Sequence, residues 1–472
     1  TVVYGSVARG GGQSSRKDLN AVSFLAADVN NHQWFGIVSN YNRELNENWN
    51  FNLGFDLRDY KGTHFRQATD LLGANSITHA GNVNFSNPIE VTDTYTTNPW
   101  KAFTDYPKDS ENKLAWEYNQ KIRYGGLFGQ IEYAKNDLTA FFQGSISHQS
   151  NIREDYYQYT PGNEVSKTVN NFGYNVKGGV SYTIADQHIV FGNAGYYSRQ
   201  PYQNNIFMNY KNDVNDKAVN EDILGLELGY KFVSRYVDVN VNAYRTTWDN
   251  RVTGNSRVAT AADVTKYNPT NDPLGVQADQ YLYYSNYGVK QDHKGLELDV
   301  VARPFEKLDI KGFASVGNWV YRDSATTIVR DENRNTLEIT SKDLDGGHVG
   351  NAAQTMVGFG AKYKILANLS VDADFRYYDR LYSSFQAKDP LQLPGYNIVD
   401  AGVSYRVKID AKNALSFRFN VNNLFEQRYI SESSTNVMIS DATTGTYRGL
   451  DDKNQVLFGW GRTWNASVKY TF

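Results

Sequence analysis

The sequence predicts an all-β fold, a transmembrane antiparallel up-and-down β-barrel, and three observations carry that reading. The first is alternation. The last nine residues put Trp464, Ala466, Val468, Tyr470 and Phe472 on one face of a strand and Asn465, Ser467, Lys469 and Thr471 on the other. One face suits lipid and the other a wet lumen. The second is composition, with 14% aromatic residues led by 35 Tyr and 24 Phe, yet a mean hydropathy of -0.59. No run of about 18 apolar residues occurs, which excludes a helical membrane protein. A polar average rich in Tyr is what a barrel with a wet interior and two aromatic girdles needs. The third is sidedness: strands of roughly ten residues are joined alternately by tight turns and by long polar stretches.

The strands can be justified in chain order. Trp49, Phe51, Leu53, Phe55 and Leu57 alternate with Asn50, Asn52, Gly54, Asp56 and Arg58. Val237, Val239, Val241 and Ala243 alternate with Asp238, Asn240 and Asn242. Leu369, Val371, Ala373, Phe375 and Tyr377 alternate with Ser370, Asp372, Asp374 and Arg376, and Leu415, Phe417, Phe419 and Val421 with Ser416, Arg418, Asn420 and Asn422. Charges sit on the polar face only. An Arg or Lys facing lipid near the midplane costs about 2–4 kcal/mol and one facing a wet lumen costs little, so the segregation favours a membrane barrel over a soluble β-domain.

Tight turns are expected near 44–48, 134–137, 184–187, 233–235, 303–307, 364–367 and 407–413. Long loops are expected near 61–119, 151–170, 199–220, 250–289, 322–351, 381–395 and 426–458. By the usual orientation the turns are periplasmic and the loops extracellular. Loops longer than about 15 residues are commonly functional. The count is about fifteen strands, and the first full one starts near Trp34 on the extracellular side. Single-chain bacterial barrels have an even count and both ends inside. The expectation is therefore that Thr1 is not the native start. Residues 1–30 are read as an extracellular loop whose first eight residues end an upstream strand, and 31–472 as the barrel domain.

Length and composition narrow the function classes. The 472 residues show no shift in composition that would separate two domains, so one repetitive architecture is expected. Without cysteine there is neither a disulfide framework nor a thiolate metal site. A net charge of -3 offers no case for nucleic-acid binding. The seven histidines are scattered with no pair at ligand spacing, and neither a catalytic constellation nor a phosphate loop is present, so no enzyme, no metal site and no cofactor is predicted.

Asn420, Val421, Asn422, Asn423, Leu424, Phe425, Glu426, Gln427, Arg428 and Tyr429 resemble the N-V-x-N-L-F-D-x-x-Y signature of the penultimate strand of the TonB-dependent receptors. Gly461 and Arg462 enter the last strand as that family's G-R pair does, and further matches run in order from Gly195 and Tyr196 through Leu226 to Lys231 and on to Gly295 through Asp299. The resemblance implies a plugged barrel of 22 strands that imports a bulky nutrient across a Gram-negative outer membrane: siderophore, haem, cobalamin, peptide or glycan. It also implies a TonB-type energy-coupling complex, the barrel assembly machinery, outer-membrane lipid and a surface lipoprotein as partners. Asn420, Asn423, Leu424, Phe425 and Tyr429 carry the signature, and Phe472 resembles the terminal aromatic read as the assembly signal. No plug and no TonB-contacting segment is present in this sequence, so about seven strands and the plug are expected upstream.

Tyr281, Tyr283, Tyr284 and Tyr287, with Tyr156, Tyr157 and Tyr159, are candidates to stack on a ligand at the barrel mouth; the competing reading makes them the upper interface girdle. Arg199, Arg58 and Arg376 either meet an anionic ligand or pair with lumenal carboxylates. Two further functions stay open: a passive porin of about 16 strands without a plug, and a surface adhesin or assembly component.

Overall fold

The computed structural model describes residues 20–472 apart from positions 22, 87, 99, 103, 208–210, 216, 271, 273, 274, 279 and 332–334. The expectation for residues 1–8 lies outside the described residues. One large antiparallel sheet runs through the rest. Its strands are β1 (Leu25–Asn46), β2 (Trp49–Asp70), β3 (Leu114–Lys135), β4 (Leu138–Asp155), β5 (Val169–Ile184), β6 (His188–Arg199), β7 (Glu221–Val233) and β8 (Val237–Val258). They continue as β9 (Tyr281–Phe305), β10 (Leu308–Arg322), β11 (Ser324–Arg330), β12 (Thr336–Asp343), β13 (Thr355–Leu366), β14 (Leu369–Asp379), β15 (Tyr396–Lys408), β16 (Ala414–Asn422) and β17 (Thr463–Thr471). Strands β11 and β12 are a hairpin that extends the top of β9. The other fifteen are staves, each hydrogen bonded to the next in chain order. Among the described residues β1 pairs only with β2 and β17 only with β16, so the fifteen staves do not close on each other.

All seven tight turns fall where alternation breaks, and the register confirms the two faces. Arg418 pairs with Asp372, Lys311 with Asp374 at 2.8 Å and Arg376 with Asp400, placing these charges together on the inner face. Asn420 donates to Asn465 at 2.8 Å on the same face. Leu53, Leu228, Phe359 and Val468 are exposed on the outer one.

Several strands are longer than expected. The first begins at Leu25 rather than near Trp34, so residues 25–30 belong to the wall and not to a loop; residues 61–70, 114–119, 151–155, 250–258 and 281–289 are likewise strand. On β2 the outer face beyond Leu57 carries Asp59 and Lys61, and Asp59 pairs with Arg123 at 3.0 Å, so charge is not confined to the inner face above this level. Below it, Trp49 to Leu57 span about 26 Å along the strand and about 20 Å of height once tilted by ~40°, close to a lipid-facing band. Beyond that band the ladder persists without strict apolar alternation.

The apolar clusters sit in the loop layer. Ala68, Leu71, Ile77, Ile89, Val91 and Leu114 form one in the first long loop, and Leu381, Leu391, Leu393, Ile430 and Leu450 tie the last two loops together. These contacts fold the loops into a fixed platform over the staves.

Candidate functional site

The inner faces of β1–β4 build a cleft of about 950 Å³, within the usual size of a ligand pocket. Pairing sets its rungs. Trp34 lies opposite Tyr60 and Tyr60 opposite Ile122, while Arg58 lies opposite Tyr124 and Tyr124 opposite Gln149. The remaining side is the segment at Tyr202 with the short helix α1 (Gln203–Ile206). Three carboxamides hold that segment: Gln120 donates to Asn204 at 2.9 Å, Gln203 to the Ile152 carbonyl at 2.7 Å and Gln149 to the Pro201 carbonyl at 3.3 Å. Trp34 and Tyr60 rings meet at 5.1 Å, and Arg58, paired with Asp56, lies 5.5 Å from the Tyr124 ring. The lining is therefore aromatic faces, carboxamides and one partly neutralised cation. Such a surface stacks on flat or polyhydroxylated groups and hydrogen-bonds their edges.

The sequence-nominated residues are distributed differently. Arg199 bonds Glu221 at 2.9 Å and lies 4.7 Å from the Tyr202 ring, so it supports the cleft through Tyr202. The tyrosines do not line it. Tyr157 is buried and donates to the Ala80 carbonyl at 3.3 Å, and Tyr159 accepts from the Asn212 amide at 3.0 Å, both tying loops together. Burial and the neighbouring Glu154 carboxylate push the Tyr156 hydroxyl up to about 12, so it stays a neutral donor to Glu154 at 3.1 Å. Tyr284 packs against the cluster of Ala259, Val276, Leu282 and Val329, Tyr287 is buried, and Tyr281 is exposed beside Val258 and Leu282. Tyr283 pairs with Ser256 and with Arg330 of β11. Arg376 bonds Asp400.

The signature has a structural logic. Asn423 is buried in the left-handed region at φ 51°, where Asn is tolerated better than most residues. Its side chain donates to the carbonyls of Gln427 at 2.9 Å and Trp460 at 3.2 Å and accepts from the Gln427 amide at 2.8 Å. Its own amide reaches Asp400 at 2.8 Å, and the Leu424 amide reaches the Val399 carbonyl at 2.7 Å. Tyr429 stacks on Tyr396 at 4.1 Å, while Phe425 is exposed. The motif thus anchors both ends of the last long loop. Phe472 is exposed and stacks on Tyr470 at 5.9 Å.

Sequence spacing missed one juxtaposition. His32 and His64 are 32 residues apart, yet β1–β2 pairing sets His32 against Gly62 and Asn30 against His64, making the two rings diagonal neighbours at 6.3 Å. Folding the hairpin about its turn at 47–48 would have found them.

A profile described as TonB dependent receptor-like, beta-barrel, matches residues 3–424. The chain belongs to this family. The TonB-dependent receptor-like barrel is accordingly an outer-membrane protein of a Gram-negative bacterium, and its family and fold are those of receptors and transporters. No curated protein matches the sequence. Similar solved structures include a copper transporter, OprC, at TM-score 0.58 and 14% identity, covering 95% of this chain and 57% of that one. The ferric yersiniabactin uptake receptor FyuA from Yersinia pestis gives 0.57 at 11% identity, with 95% and 55% covered. The siderophore receptor PiuA from Acinetobacter baumannii gives 0.57 at 11%, with 95% and 56% covered. The chain thus spans just over half the length of these structures.

Proposed function

We propose that the TonB-dependent receptor-like barrel forms much of the wall of an energy-coupled importer of a bulky nutrient, and that the cleft of β1–β4 is where cargo rests against that wall. The cleft carries the reading: a ligand-sized space lined by Trp34, Tyr60, Tyr124 and Tyr202 lies on the polar inner face beneath a fixed loop layer. Siderophore, haem, cobalamin, peptide and glycan all remain in the cargo class, and a plug with a TonB-type coupling complex completes the machine in this proposal. A passive pore is the rival.

The deciding experiment measures uptake in cells, and bilayer conductance of the native full chain, with and without an uncoupler. Importer activity requires little steady conductance and uptake that stops when the inner-membrane gradient collapses. Large steady conductance with uptake indifferent to the uncoupler would make the protein a porin. Tyr60→Ala and Tyr124→Ala should each weaken cargo binding about tenfold, from lost stacking of about 1–1.5 kcal/mol.

A further inference from the structure

The cleft of β1–β4 has a counterpart on the opposite face of the same four strands. Register assigns it: Gln33 lies opposite Lys61, Lys61 opposite Lys121 and Lys121 opposite Ile152, and one rung lower Phe35, Asp59, Arg123 and Ser150 stand side by side. These residues share the parity of Leu53 and Leu57, so they point outward, away from Tyr60 and Tyr124 on the inner face. Between them is a concavity of about 400 Å³. Below it on the same outward face Ile37, Leu57, Leu127 and Ile146 are exposed, as a lipid-facing band requires.

Charge in this concavity is not balanced. Arg123 pairs with Asp59 at 3.0 Å and Lys121 with Glu154. Among the described residues Lys61 forms no ion pair, and it stands directly opposite Lys121 in the ladder. Like charges so placed destabilise a strand pair, since neighbouring strands are only about 4.8 Å apart. Three cations therefore meet two carboxylates at the height where hydrocarbon gives way to water. The Arg123 side chain is 81% exposed, and its bond to Asp59 uses Nε, which leaves the outer edge of the guanidinium fork for a second acceptor.

We propose that Lys61, Lys121 and Arg123 hold a phosphate on the headgroup of an acylated lipid, whose chains descend the wall over Phe35, Leu57 and Leu127. Phosphate oxygens accept from ammonium and guanidinium groups at once, and their charge removes the repulsion between Lys61 and Lys121. Inorganic phosphate would meet the cations and leave the apolar wall beneath them unused; a lipid occupies both. The long loops set this end of the staves on the extracellular side, so the lipid belongs to the outer leaflet. The proposal concerns the outward face and is independent of whether the lumen imports or conducts.

The test titrates the native full chain, delipidated in detergent, with lipid A, with lipid A stripped of its phosphates and with inorganic phosphate, and counts bound lipid by native mass spectrometry. Saturable binding of lipid A is expected, with the dephosphorylated form about tenfold weaker and excess inorganic phosphate unable to displace it. Lys61→Gln and Arg123→Gln should each weaken lipid A about tenfold. Lys61→Arg, which keeps the charge and its donors, should stay within about twofold of the native chain. Asp59→Asn tests the sign: without the competing carboxylate, binding should tighten about fivefold, a change that general damage to the wall would not produce. Heat-modifiable mobility checks that each variant is folded. Equal binding of the two lipid forms, or Lys61→Gln and Arg123→Gln indistinguishable from the native chain, overturns the site. Displacement of lipid A by inorganic phosphate at comparable concentration overturns the lipid and leaves a site for a free anion.

Discussion

Asn423 shows what a motif residue does when its chemistry is followed atom by atom. The sequence marked it as part of a signature but could not show its role, because its partners Asp400, Gln427 and Trp460 come from three separate places in the chain. Asn423→Ala removes three side-chain hydrogen bonds at a buried site and puts an ordinary residue in the left-handed region, a combined loss of about 2–4 kcal/mol. The expected result is a lower unfolding temperature of the assembled barrel and faster protease cutting between residues 430 and 460. Unchanged values for both would remove its anchoring role. Asp263 gives a pH-dependent counterpart in the loop layer. It closes a capping box with Thr260 on the helix α2 (Ala261–Tyr267) and pairs with Arg257. Hydrogen bonds from Arg257, then from Thr260, hold its carboxyl well below the usual carboxylate range. A folded-state pKa below the unfolded one gives stability that is complete above about pH 4 and is lost as the pH falls below it. Hydrogen exchange of residues 261–267 should therefore be protected at pH 6 and accelerate below pH 4 relative to Asp263→Asn, whose exchange, corrected for intrinsic chemistry, should be flat over that range.

At the scale of elements, legibility followed the lipid. Each stave was readable where its outer face is apolar, as from Trp49 to Leu57, because alternation there is enforced by two different solvents. Above that level the strand ends are packed into the loop layer, with Phe65, Ala68, Leu282 and Val289 buried, so β2 continues to Asp70 and β9 starts at Tyr281 without a period of two to reveal it. The same cause kept the cleft hidden. Trp34, an apolar residue, stands on the inner face opposite Tyr60, and the binary pattern gives no means of telling such an inward aromatic from a lipid-facing one. Register itself is testable, since a slip of one residue inverts every side chain. With single cysteines and an impermeant thiol reagent, Asn240, Asp372, Arg418 and Ser467 should label through the lumen, while Val239, Val371, Phe417 and Val468 should be spared. Arg418→Cys also strips Asp372 of its ion pair, so its labelling is to be compared with that of Ser467→Cys, which breaks no such contact. Equal labelling of the two sets would refute the register.

For the molecule as a whole the decisive features are its two edges. β1 has 22 residues and β17 has nine, and among the described residues each is paired on one side only. In water an unpaired edge is a liability for association; in hydrocarbon each unpaired backbone group costs several kcal/mol because nothing there replaces the lost partner. Even half a dozen such groups would outweigh the net stability of about 5–15 kcal/mol typical of a folded domain. Residues 1–472 alone should therefore fail to form a heat-resistant barrel in lipid vesicles unless the staves curl further and join β1 to β17. The measurement is gel mobility of unheated samples after refolding, combined with cysteine pairs placed across β1 and β17. Absence of both a resistant band and a β1–β17 crosslink is the expected result, and it would mean that the wall needs further strands between these edges. A resistant band that carries the crosslink would show a self-sufficient fifteen-stave barrel, narrower than a wall of 22 strands and with its inner charges drawn closer together than they stand here.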